Sequence, residues 1–90
     1  MILSAMNIDE AIAQLAERFQ TLAHRVSENA LEAIRPQIRL LATQFTRKQV
    51  RDKLQRNHSC DRETENLRAE NLLLEELLKE IENCSNRTCG

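Results

Sequence analysis

Residues 30–56, ALEAIRPQIRLLATQFTRKQVRDKLQR, decide the fold expected for this chain. On a helix that turns about 100° per residue, Ile34, Ile38, Leu41 and Phe45 form one apolar stripe. A row of basic and hydroxyl side chains lies to one side of that stripe. The row comprises Arg35, Arg39, Thr43, Thr46, Arg47 and Lys53. The stretch therefore predicts a core helix with a basic outer face.

Charge is unevenly distributed along the chain. Residues 30–56 contain seven basic and two acidic side chains, a net charge of +5, whereas the whole chain carries −1. Residues 1–29 carry −2 and residues 57–90 carry −4. A stripe of one sign beside oppositely charged segments favours a surface that faces a polyanion. A solvated helix face is the simpler alternative.

The composition leaves little material for turns or strands. The 90 residues include one Gly, one Pro, two Phe and no Trp or Tyr. We therefore expect a single all-α domain over residues 1–90, with two or three helices. A domain of this length buries only about 60–65% of its unfolded surface, so self-association would enlarge a thin core.

The chain has no pattern typical of a membrane or exported protein. No run approaches the roughly 18 apolar residues of a membrane span, and MILSAMNIDE lacks the basic and apolar regions of a signal peptide. We therefore predict a cytoplasmic protein without a membrane partner.

Two helices are predicted in the first part of the chain. Apolar residues that alternate steps of four and three predict helix 1 over about residues 8–28, with Asn7 and Glu10 as a capping box. Helix 2 is predicted over about residues 30–56, and two signals for its start disagree. Asn29 offers an N-cap, whereas Pro36 fits a first turn or a kink. The core positions predicted in helix 1 are Ile12, Leu15, Phe19, Leu22 and Val26.

A Leu-rich third helix is predicted over about residues 61–83, DRETENLRAENLLLEELLKEIEN, followed by a disordered tail at 84–90. Its seam consists of Leu67, Asn71, Leu74, Leu78 and Ile81. Leu72, Leu73 and Leu77 make the apolar face wider than a two-stranded zipper needs. A buried Asn at a seam position can fix the register and number of chains in an oligomer. An Asn at the edge of the buried face is the alternative.

Signals for catalysis or for a metal are weak. The chain contains neither a Gly-rich phosphate loop nor a nucleophile with a matching base, so we predict no enzyme, no small-molecule substrate and no cofactor. The three cysteines are expected to be free thiols. A zinc site from His58, Cys60, Cys84 and Cys89 would need a spacing that no common structural site uses.

The basic stripe suits double-stranded RNA. A-form RNA presents phosphates and 2′-hydroxyls, and recognition of single strands usually needs aromatic side chains for stacking, which are scarce here. Arg and Lys would bind phosphates, while Thr and Gln would meet ribose hydroxyls, without reading the sequence. The predicted RNA-binding residues are Arg35, Arg39, Thr43, Thr46, Arg47, Lys48, Arg51 and Lys53.

Residues 8–56 resemble the RNA-silencing suppressor of nodaviruses in length, helix order and the basic second helix that ends in FTRKQVRDKL. The resemblance implies a homodimeric, antiparallel four-helix bundle that lies along duplex RNA in the host cytoplasm and blocks its dicing and loading. It also implies that the basic residues from Arg35 to Lys53 contact RNA. The Leu-rich C-terminal helix departs from that pattern and is compatible with a larger homo-oligomer. The alternative hypothesis is a coiled-coil oligomerisation or adaptor module whose basic face pairs with acidic segments of the same assembly.

Overall fold

The computed structural model describes residues 7–25, 29–62 and 64–88, which form four α-helices and, within these ranges, no strand. The helices are α1 (Ile8–Arg25), α2 (Ala30–Ala42), α3 (Arg47–His58) and α4 (Glu65–Thr88). The all-α class is confirmed. The predicted number of helices is wrong, because the described residues form four helices where two or three were expected.

The additional helix arises from a break in the predicted second helix. α2 ends at Ala42, and the Thr43 hydroxyl donates a hydrogen bond to the Leu40 carbonyl at 2.7 Å. Thr46 then adopts an extended backbone and caps α3. Its hydroxyl accepts from the Gln49 N–H at 3.2 Å, while Gln49 Oε1 accepts from the Thr46 N–H at 2.9 Å. This capping box satisfies two backbone donors at the helix start, which stabilises a new helix at Arg47.

The helix ends agree with the predictions at some positions and differ at others. α2 begins at Ala30, so Pro36 lies inside this helix, and the Asn29 side chain makes no capping hydrogen bond. In α1 the Asn7 cap is present, because Asn7 Oδ1 accepts from the Glu10 N–H at 2.8 Å. α4 continues to Thr88, so residues 84–88 are helical where a disordered tail was predicted. Val26, Cys89 and Gly90 lie outside the described residues.

α4 is the central helix of the bundle. Each of the other three helices packs against it, and α1 also packs against α2 and α3. In the core, Ile12, Ile34 and Ile38 are buried without exposed surface. Other apolar residues predicted for the core are also buried or partly buried there. They are Leu15, Phe19, Leu22, Leu41, Phe45, Leu74 and Leu78.

The buried face of α4 overlaps the predicted seam only in part. Leu73 and Leu77 are fully buried together with Leu74, whereas Leu67 and Asn71 are only half-buried. A helix that packs against three neighbours needs a wider apolar face than a two-stranded seam, and Leu73 and Leu77 supply that width. The apolar stripes are thus used largely for packing within one chain.

Candidate nucleic-acid interface

The basic residues predicted to bind RNA fall into three environments. Lys53 is in the first, and its side chain is only 10% exposed. Its ammonium nitrogen lies 3.1 Å from Asp9 Oδ1 and 3.6 Å from Glu70 Oε1. Lys53 is held between α1 and α4, so it does not belong to the outer basic face. In this position its ammonium group is poorly placed for the RNA contact that was predicted for it.

Two neighbours complete the cluster around Lys53. Arg56 Nη2 lies 3.2 Å from Asp9 Oδ1, and the Asn57 amide donates to Glu70 Oε1 at 3.4 Å. The hydrogen bond from Lys53, supported by the charges of Lys53 and Arg56, holds the pKa of the Asp9 carboxyl below its ordinary value of 3.8. This cluster fastens the start of α1 and the end of α3 to α4, which is a structural role.

The second environment lies where α2 crosses the C-terminal half of α4. The Arg35 side chain is 24% exposed, and its guanidinium lies 3.5 Å from Glu32, 3.9 Å from Glu76 and 3.7 Å from Glu80. Arg39 is exposed, with Nε 3.9 Å from Glu80. Arg35 is therefore largely neutralised within the chain, whereas Arg39 remains accessible.

The third environment is the outer face of α3 together with the turn before it. We name this set the α3 corner surface: Thr43, Gln44, Thr46, Arg47, Lys48 and Arg51, all of which are exposed. Arg47 Nη1 lies 3.5 Å from Glu82, and Lys48 Nζ lies 3.2 Å from Asp52. Arg51 has no carboxylate partner among the described residues. Arg47, Lys48 and Arg51 line one shallow depression with Asp52 and Gln55.

The electrostatics of this surface favour an anion. The first turn of α3 contains Arg47 and Lys48 and no acidic residue. The N-terminal end of a helix carries a partial positive charge, so acidic residues are usual there and basic ones are unfavourable. A phosphate group beside this turn would relieve the repulsion and would interact favourably with the helix end.

Neither aromatic side chain of the protein is available to stack on a base at this surface. Phe45 is buried in the core, and Phe19 lies half-buried in a groove between α1 and α4. The chain contains no Trp or Tyr. The α3 corner surface therefore offers cations, hydroxyls and amides only, which is the chemistry of backbone contact.

Other features carry little chemistry. Cys60 is an exposed free thiol, and the described residues include no group of three His, Cys, Asp or Glu that could hold a metal ion. None of the helices, as far as the structure describes them, is long and apolar enough to cross a membrane.

The buried position of Lys53 has a signal in the sequence that the single-helix interpretation missed. Val50 is buried and Leu54 half-buried. Once α3 is treated as a separate helix, Lys53, three residues after Val50, falls at the side of the inner face that Val50 and Leu54 define. Comparison with known proteins adds nothing to this picture, because no family model, no curated protein and no solved structure matches the chain.

Proposed function

We propose that this protein binds duplex RNA through the phosphate backbone and sequesters it without reading the sequence, as a viral suppressor of RNA silencing would. The observation that carries the proposal is the α3 corner surface, where three exposed cations lie next to hydroxyl and amide groups and no aromatic ring is within reach. Phosphates and ribose hydroxyls of an A-form duplex match these groups.

The ion pairs already present on this surface do not prevent such binding. Arg47 and Glu82 are 56% and 48% exposed, and the pair at 3.5 Å is longer than a typical charge-assisted hydrogen bond. Exposed pairs of this kind contribute about 0.2–1 kcal/mol. A phosphate oxygen at hydrogen-bonding distance can therefore replace the carboxylate.

The number of available cations sets the expected strength. Arg39, Arg47, Lys48 and Arg51 remain accessible, whereas Arg35 and Lys53 are held inside the chain. With four phosphate contacts, the logarithm of the binding constant should fall with the logarithm of salt concentration with a slope of about −3 to −4. Two chains on one duplex would double this number, so we propose a homodimer as the active form.

The test is a gel-shift titration at two salt concentrations with a short RNA duplex, the DNA duplex of the same sequence and the single-stranded RNA. We expect preferential, salt-sensitive binding to the RNA duplex. The double variant Arg47→Gln/Arg51→Gln should bind about tenfold or more weakly, and its salt slope should be smaller by about two per chain. The matched control, Arg18→Gln/Arg62→Gln, removes two exposed charges elsewhere and should bind nearly as the wild type does.

Two results would contradict the proposal. A folded wild-type protein that does not bind the RNA duplex at low salt would refute RNA binding. Equal loss in the two double variants would instead refute the assignment of the α3 corner surface, because only the total charge would then matter.

A second candidate function is a protein-interaction module without a nucleic-acid ligand. The observation that favours it is the neutralisation of Arg35 and Lys53 by carboxylates of α1 and α4, which uses part of the segregated charge for folding. Under this hypothesis the protein forms a defined oligomer in light scattering, and neither RNA nor DNA changes its mass at low salt.

A further inference from the structure

The carboxylates of the C-terminal half of α4 lie against the cations that the proposed function assigns to RNA. Glu80 approaches both Arg35 and Arg39, and Glu82 approaches Arg47. An RNA phosphate that binds Arg39 or Arg47 must therefore compete with a carboxylate of the same chain. The two anions cannot share one fully engaged guanidinium without mutual repulsion.

The ion pairs of Asp9 and those of Glu80 and Glu82 differ in length. At its C-terminal end, Lys53 and Arg56 lie 3.1 and 3.2 Å from Asp9, within hydrogen-bonding distance. The pairs with Glu80 and Glu82 are longer, from 3.5 to 3.9 Å. Contacts of this length, between partly exposed side chains, are weak and exchange readily. The pairs made by Glu80 and Glu82 are therefore loose. Distance alone does not mark the RNA surface, because Lys48 and Asp52 lie 3.2 Å apart there and the buried pair of Lys53 and Glu70 is 3.6 Å long.

We propose that Glu80 and Glu82 act as an internal competitor of RNA, an autoinhibitory contact that lowers the affinity of Arg39 and Arg47 for phosphate. This inference rests on the proposed function. The contact is released by exchange of side-chain partners and leaves α4 in place, because Leu73, Leu74 and Leu77 anchor that helix in the core. Anions with closely spaced charges, such as a duplex, displace both carboxylates, whereas a single weak anion does not.

The size of the effect follows from the strength of the pairs. Exposed ion pairs strengthen an interaction by about 1.5- to fivefold each, and RNA binding must overcome that factor at every pair it replaces. Removing one carboxylate should therefore raise the RNA affinity by about this factor. The gain should be larger at low salt, because screening weakens both the ion pair and the repulsion between carboxylate and phosphate.

The experiment compares three variants that each lose one negative charge from α4. Glu82→Gln and Glu80→Gln remove the proposed competitors. Glu75→Gln is the matched control, because Glu75 is exposed and no described cation pairs with it. We expect Glu82→Gln to bind the RNA duplex about 1.5- to fivefold more tightly than Glu75→Gln in the same buffer. Since Glu82 is on the surface, this variant should fold as the wild type does, which circular dichroism checks.

The outcomes separate this inference from the proposed function. If the wild type binds the duplex and Glu82→Gln binds no more tightly than Glu75→Gln, the internal competitor is refuted while RNA binding stands. If neither the wild type nor any variant binds, the proposed function fails and the inference fails with it.

Discussion

Replacing Lys53 with methionine removes the ammonium group and keeps a side chain of similar length. In the variant, Asp9 keeps Arg56 as a partner. The loss of stability therefore comes mainly from Glu70, a carboxylate with a side chain only 12% exposed that no longer has an ammonium partner. After the substitution, Glu70 retains the Asn57 amide at 3.4 Å as its described hydrogen-bond donor. Breaking a buried ion pair by removal of one partner costs about 3–5 kcal/mol. Because that amide remains, we expect the free energy of unfolding to fall by about 3 kcal/mol, the lower end of this range.

That loss is large for a chain of this size. A 90-residue domain has a free energy of unfolding of about 5–13 kcal/mol. A change of about 3 kcal/mol should lower the melting temperature by roughly 12–24 °C, measured by circular dichroism. The matched control is Lys48→Met, since Lys48 is 84% exposed and pairs with Asp52 one helical turn away. This control should lose less than about 0.5 kcal/mol.

Two further measurements test the reasoning. Combining Lys53→Met with Glu70→Leu replaces the buried pair by apolar side chains and should recover most of the lost stability. At a temperature where Lys53→Met is folded, its RNA affinity should match that of the wild type within about twofold, as expected for a residue without phosphate contact. A Lys53→Met variant as stable as Lys48→Met, or one that is stable but binds RNA weakly, would refute the structural role of Lys53.

Two more predictions concern the helix starts. The pKa of Asp9 is lowered, chiefly by its hydrogen bond with Lys53, so its stabilising contribution is present above the unfolded pKa and is lost as the pH falls through the lower folded value. Asp9→Asn should therefore be less stable than the wild type near neutral pH. In urea titrations this difference in stability should disappear as the pH is lowered below 3.8. A difference that does not depend on pH would argue against the ion pair. Thr46→Ala removes the α3 cap and should lower the free energy of unfolding by about 1 kcal/mol, whereas Thr46→Ser should keep most of that stability. Equal urea midpoints for the two variants would contradict the capping role.

Much of the helical structure follows from local patterns in the sequence. The spacing of Ile12 and Leu15 predicts α1, and Asn7 caps it as its position suggests. The break between α2 and α3 was also encoded locally, in the capping box of Thr46 and Gln49. It was missed because the apolar stripe from Ile34 to Phe45 continues smoothly into the turn.

The candidate site was harder to predict, because accessibility is set by other helices. Arg51 and Lys53 are two positions apart in one basic run, yet Arg51 faces solvent and Lys53 is buried against Asp9 and Glu70. A charge pattern identifies the residues that carry charge and gives no information on which carboxylates from distant segments will neutralise them. Glu80 and Glu82 were likewise counted as part of an acidic segment, without a link to Arg39 or Arg47.

The sequence by itself determined the all-α class, most of the apolar positions and the excess of positive charge in residues 30–56, because helix periodicity and capping depend on residues three or four apart. The tertiary structure decided which cations remain accessible. That choice depends on how α1 and α4 pack against α2 and α3, which brings Asp9 to Lys53 and Glu82 to Arg47 across long stretches of chain. Interactions between such distant residues arise only after the helices have buried their apolar faces, so no local pattern specifies them.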